Sequence, residues 1–195
     1  QQLGALTQHA HAQYLGCNIT YSGSGENALS ALKPYEIVEY GDTKVAFIGV
    51  TTPQTILNNA HSFFEEDGVV VYDFCGASGD TLYSRVQKNI DECLSDGADY
   101  VVLLTHLGSG DSYSPFSSNE LAQNTVGADA VLDGHAHTLT PCRVEQNRDG
   151  EDVLISSPGY GFEAFGQLTI TANGNVISSV INYYAPEDSE VADRV

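Results

Sequence analysis

Between residues 79 and 96 apolar side chains return every fourth position, at Leu82, Val86, Ile90 and Leu94, with Cys93 beside the stripe. That is the helical period, and it predicts an amphipathic helix with one buried face. Ser78 or Asp80 can cap its start and Gly97 its end. Other segments have the pattern of strands. Tyr35 to Glu39 and Lys44 to Val50 predict a hairpin around Gly41-Asp42, and Thr51-Thr52-Pro53 ends its second strand. The unbroken apolar run Val101 to Leu104 predicts a strand covered on both faces. Gln13 to Thr20 reads as a short strand, followed by a polar Gly/Ser loop over 21–26. Residues 53–77 have no period and predict a long surface excursion. A short helix is expected near 118–125 and a strand at Ala130 to Leu132. After 141 the pattern changes. Asp152 to Ser156, Gly166 to Thr171 and Val176 to Tyr183 alternate or nearly so, with an Asn173-Gly174 turn between the last two. Crossover units followed by antiparallel strands predict an α/β layered domain with mixed sheets. No repeat or internal linker interrupts residues 1–185. The polar tail 186–195 reads as the start of a linker.

At 195 residues one domain is expected, and 42% hydrophobic residues suffice for a core. Charge then narrows the function. With 26 acidic against 7 basic side chains, the net charge is −19. Such a surface repels nucleic acid and anionic membranes, so neither is an expected partner. A phosphate substrate would need positive charge from elsewhere, which bound divalent metals supply. The chain lacks methionine and begins at Gln1, so it reads as a trimmed or processed piece, with no signal peptide or membrane run visible. Cys17, Cys75, Cys93 and Cys142 lack zinc-finger spacing and leave three full disulfide pairings open. Low lysine and strong acidity suit an extracellular, periplasmic or cell-surface protein.

The candidate chemistry lies at strand ends. The strand ending at Leu132 runs into Asp133-Gly134-His135-Ala136-His137, where glycine permits a sharp turn and two imidazoles can converge. The strand from Tyr100 runs into Thr105-His106-Leu107-Gly108. Neutral imidazole is a common ligand for zinc and similar ions, so His106, His135 and His137 are the candidate metal ligands. Thr105 and Asp133 read as supporting groups. His9 and His11 read as part of a solvated or frayed helix, and His61 is not assigned as a ligand. The Tyr and Phe side chains over 160–165 are expected to pack between strands rather than form an aromatic lip. Gly108-Ser109-Gly110-Asp111 lacks the lysine and helix of a P-loop.

Four segments, in order, resemble the calcineurin-like metallophosphatase domain of the 5′-nucleotidase family. Lys44 to Pro53 resembles its "KVGIIGLTTPE" strand, and Ala98 to Gly108 its "ADVVILLSHLG" segment. Gly127 to Thr138 resembles "GIDVIIGGHSHT", and Ser157 to Leu168 resembles the strand pair that closes the domain. The resemblance implies an αββα sandwich with mixed sheets, of which this chain is the C-terminal half (1–185). It implies two divalent metal ions (Zn, Mn or similar), with His106 and His135 on one and His137 on the other. It also implies removal of phosphate from nucleoside 5′-monophosphates by a metal-activated water. Cyclic nucleotides, nucleotide sugars and other phosphomonoesters are the alternative substrates, and a non-catalytic metal-binding surface domain is the alternative role. The family's D-x-H strand end, bridging G-D aspartate and G-N-H segment have no counterpart here. Gly41-Asp42 reads as a hairpin turn, Asp80 as a helix start, and Asn18 is not assigned as a ligand. No catalytic or substrate-binding residue is therefore assigned within this chain. The missing N-terminal half, or a completing chain, is an expected partner, and the chain alone is expected to be inactive.

Overall fold

In the computed structural model, which describes residues 2–25 and 27–182, six strands form one mixed sheet. Helix α1 (Gln2–His9) and the short strand β1 (Thr20–Tyr21) precede it. Strands β2 (Tyr35–Tyr40) and β3 (Thr43–Thr51) pair antiparallel about Gly41 and Asp42, and Gly41 takes φ +65°. The excursion holds short pieces only. These are helix α2 (Thr55–Asn58), the paired strands β4 (Glu65–Glu66) and β5 (Val69–Val70), and β6 (Tyr72–Asp73), which pairs with β1. Then come α3 (Gly79–Ser95), β7 (Tyr100–His106), α4 (Ser118–Asn124), β8 (Ala130–Leu132), β9 (Leu139–Gln146), β10 (Asp152–Pro158), β11 (Ala164–Ile170) and β12 (Val176–Asn182). The sheet order is β2-β3-β7-β8-β10-β9. Strands β3, β7, β8 and β10 run parallel, with an antiparallel strand at each edge.

Helix α3 covers one face. Ser78 caps it by accepting from the Thr81 N–H at 3.2 Å. Leu82, Val86 and Ile90 are fully buried, and the next buried member is Cys93, while Leu94 stays 42% exposed. A strict four-residue repeat drifts off a 3.6-residue helix, so the stripe steps back to Cys93 in its last turn. Beneath it lie Ala46, Ile48, Val50, Val101, Leu103, Val131, Val153 and Ile155, all on one side of the sheet. The β11–β12 hairpin lies against the other side, where the Ser178 hydroxyl donates to the Pro141 carbonyl at 2.9 Å. A cavity of about 670 Å³ opens between hairpin and sheet, lined by Phe47, Tyr100, Val102, Leu132, Leu168 and Ile170 among others. Helix layer, mixed sheet and second β layer together match the layered α/β fold expected of part of such a sandwich.

Two expectations need correction. Gln13 to Thr20 is no continuous strand; Leu15 bridges to Lys33, and the Cys17 N–H donates to the Gly49 carbonyl at 2.8 Å. The segment crosses directly over Gly49, where an added Cβ would come within 2.5 Å of the Leu15 backbone. Strand β9 was not anticipated. It contains Pro141 and is mostly exposed, as suits an edge strand, which carries little apolar signal. The end of the last expected strand and the tail 186–195 lie outside the described residues. The four cysteines are free thiols, with Cys17, Cys75 and Cys93 buried and Cys142 exposed.

Candidate metal centre

The candidate ligands sit at one edge of the sheet because β3, β7 and β8 are parallel neighbours that end together. His106 is the last residue of β7, opposite Thr51 of β3. The turn after β8 carries His135 and His137. The imidazoles of His106 and His135 lie 4.9 Å apart, centroid to centroid. Both His135 (φ +75°) and His137 (φ +55°) hold left-handed backbone. Non-glycine residues enter that region at a cost, and such strain gathers at functional sites. Gly134 leaves room for the close approach, since an added Cβ would press on His106 Nδ1 at 3.2 Å. Its N–H donates to the Thr105 carbonyl at 3.1 Å and ties the two strand ends together.

Asp133 holds this junction from inside. Its buried carboxylate accepts from the Thr105 hydroxyl at 2.7 Å, the Ser118 hydroxyl at 2.8 Å, and the Leu107 and Gly108 N–H groups at 3.1 and 3.3 Å. With its oxygens so engaged, Asp133 supports the loop after His106. Desolvation by the surrounding walls lowers the His106 pKa below the ordinary histidine value; His135 and His137 push the same way and Asp133 opposes.

The third histidine lies within electrostatic reach of this pair but turns its ring onto Tyr160, stacked at 5.3 Å and 16°. Tyr160 and Phe162 are 59% and 87% exposed, so the 159–163 turn projects from the surface, against the expectation that its rings pack between strands. The glycine loop at 108–110 leads into Tyr113, whose ring meets His135 edge-on at 5.3 Å. One further group reaches His135: Gln54 Oε1 lies 3.3 Å from Nε2. No local sequence pattern marks Gln54 or Tyr113 as part of this site. The available signal for Gln54 was its place just past β3, the parallel neighbour of the strand that delivers His106.

The remaining candidates fall as expected. His9 ends α1 and His11 follows it, both exposed. His61 is exposed, with Nδ1 3.9 Å from Glu65. Asn18 is buried and spends its side chain on Thr51 N–H and C=O and on the Phe74 carbonyl, a structural role. Gly41-Asp42 is a hairpin turn, and Asp80 lies in the first turn of α3.

Chemically, two adjacent imidazoles fit part of a divalent-metal coordination sphere. Among the described residues, no three or more His, Cys, Asp or Glu side chains gather to hold an ion. The donor set present is therefore suitable in kind and short in number.

The family described as bacterial capsule synthesis protein PGA_cap matches residues 4–161. The snake venom 5′-nucleotidase of Gloydius brevicauda is 27% identical over 99% of this chain and 34% of its own length. The 2′,3′-cyclic-nucleotide 2′-phosphodiesterase/3′-nucleotidase of Salmonella typhimurium is 26% identical over 68% of this chain and 21% of its own. Among solved structures, the 5′-nucleotidase precursor of Thermus thermophilus superposes with TM-score 0.68 at 25% identity, over 92% of this chain and 35% of that one. The calcineurin-like phosphoesterase YfkN of Bacillus subtilis, 20% identical, shares the fold with TM-score 0.64 over 90% of this chain and 57% of that one. The chain thus spans about a third of the 5′-nucleotidases it matches.

Proposed function

Because the chain belongs to the bacterial capsule synthesis protein PGA_cap family and resembles 5′-nucleotidases and calcineurin-like phosphoesterases, we propose that it is part of a metal-dependent nucleotide phosphohydrolase. The proposed reaction is release of phosphate from nucleoside 5′-monophosphates. The observation that carries this reading is the convergence of His106 and His135 at adjoining parallel strand ends, 4.9 Å apart. When bound there, divalent ions such as Zn or Mn would polarise a phosphoryl oxygen and acidify a water. His106 and His135 would supply imidazole donors to one ion, and His137 to a second once its ring leaves Tyr160. Asp133 keeps the strand ends in register, and Gly134 lets the rings approach. The cations would also offset the acidic surface where a phosphate must dock. The groups that complete the coordination and act on the leaving oxygen are assigned to a longer parent chain or to a completing partner. Secretion or display at the cell surface accords with the acidic composition and with the venom relatives. No helix among the described residues is long and apolar enough to cross a membrane.

The test is phosphate release from a nucleoside 5′-monophosphate by the full-length parent, with and without Mn²⁺ or Zn²⁺. His135→Ala is expected to reduce the rate to near background. Metal-independent turnover, or full activity in that variant, would reject the mechanism. A cyclic-nucleotide or nucleotide-sugar phosphoesterase is separated from this reading by the same assay run on those substrates. The absence of a three-ligand group among the described residues favours a second reading, a surface domain that keeps the fold without turnover. A parent that binds ions yet releases no phosphate from any of these substrates would establish it.

A further inference from the structure

The metal-site reading leaves Gln54 without a role, although its amide meets a candidate ligand directly. Gln54 Oε1 lies 3.3 Å from His135 Nε2. An amide oxygen only accepts, so this contact is a hydrogen bond only in the tautomer that carries the proton on Nε2. A neutral imidazole has one N–H, and its remaining lone pair is then on Nδ1. Resting on the metal-site reading above, we propose that Gln54 is a positioning residue that fixes the Nε2–H form of His135, so that Nδ1 is the atom the ring offers to a divalent ion.

The backbone around Gln54 is built to hold it. Gln54 N–H donates to the Thr52 hydroxyl at 3.2 Å, and Thr52 is buried. The Gln54 carbonyl accepts from Leu57 and Asn58 N–H, each at 2.9 Å, which starts α2. The Thr55 hydroxyl closes the same turn on the Thr52 carbonyl at 2.7 Å. Pro53 sets the turn at the end of β3, beside the strand that ends in His106. His135 is held less firmly by its own chain. It takes left-handed backbone itself, and among the described residues its ring meets His106, Tyr113 and Gln54. Of these, Gln54 alone presents a hydrogen-bond acceptor to Nε2. Partners of this kind, which accept the second N–H of a ligating histidine, set both tautomer and ring orientation.

The experiment reads the imidazole directly. In the metal-free chain, ¹⁵N NMR of His135, assigned by loss of its signals in His135→Gln, is expected to show the Nε2–H form alone. Gln54→Leu removes the acceptor and is expected to introduce the Nδ1–H form, while Gln54→Glu, which keeps an acceptor, retains the native pattern. Titration with Zn²⁺ or Mn²⁺, followed on the same signals, is expected to need roughly 10- to 100-fold more metal in Gln54→Leu. A native Nδ1–H signature, or a Gln54→Leu variant with native tautomer and native metal response, would overturn the assignment. If His135 responds to no metal even when the longer parent or completing chain is supplied, the metal-site reading fails while the tautomer result still decides the role of Gln54.

Discussion

The most consequential single side chain is Asp133, because it answers four donors from the end of β7, the loop that follows it and the start of α4. Asp133→Ala would leave two N–H groups and two hydroxyls without their acceptor in a buried junction. A loss of about 3 kcal/mol follows, read as a shift in the urea midpoint. Asp133→Asn keeps one accepting oxygen and should lose clearly less. Asp129 is the opposite case. Burial raises its pKa above the ordinary carboxylate value, the Glu151 charge adds to this, and the hydrogen bond from Val101 N–H opposes it. A raised pKa means the folded state disfavours the charged form. The stability tied to this group is present below the ordinary carboxylate pKa and lost as pH rises through the folded value. Asp129→Asn, which can still accept from Val101, should therefore gain stability at neutral pH, and the gain should vanish in acid. Equal midpoint shifts at pH 3 and pH 7 would contradict this. At this scale the sequence exposed the histidines because each follows an apolar strand and, in two cases, a glycine. It hid Gln54 and Tyr113, since their importance comes from which strands become neighbours, and no local pattern records that.

Elements were legible where burial leaves a pattern. The α3 stripe contrasts one buried face with one wet face, β7 shows an apolar run, and α3, β3, β7 and β8 were read with boundaries close to those observed. Strand β9 was missed because an edge strand with most residues exposed and a proline inside it has no buried face to declare. The same logic predicts where helix α3 is sensitive. Ile90→Ala removes a fully buried side chain and should lose about 3 kcal/mol, whereas Leu94→Ala, 42% exposed, should lose well under 1 kcal/mol by the same denaturation measurement. A four-residue repeat alone would rank them equal. Gly49 marks a different limit. In sequence it looks like a weak point in a good strand. In the fold it is the position over which Leu15 passes, and a methyl group there would meet Leu15 backbone at 2.5 Å. Gly49→Ala is expected to destabilise by about 2 kcal/mol, since backbone on both sides leaves little room to relax. Unchanged stability would mean that the 13–20 segment moves aside freely.

For the molecule as a whole, the fold was more legible than the site, because layers follow from pattern while a metal centre needs groups from several strands. The candidate site brings together two imidazoles, and a third histidine is stacked on Tyr160. Divalent ions take about four to six ligands, with carboxylates commonly among them. The described residues gather no group of three or more such side chains, and Asp133, the carboxylate whose charge acts on His106, is already engaged by four donors. A formal net charge of −19 draws cations to the surface in general, and salt screens that attraction. It follows that residues 1–195 alone should bind Mn²⁺ or Zn²⁺ weakly, with an affinity that falls as salt is added, and should release no phosphate from nucleoside 5′-monophosphates. Isothermal titration at two salt concentrations, paired with a phosphate assay, checks both halves. Tight binding of two ions per chain, insensitive to salt, would show that this chain completes the centre by itself. Weak, salt-sensitive binding that becomes tight only when a longer parent or a second chain is supplied would place the remaining ligands outside these residues.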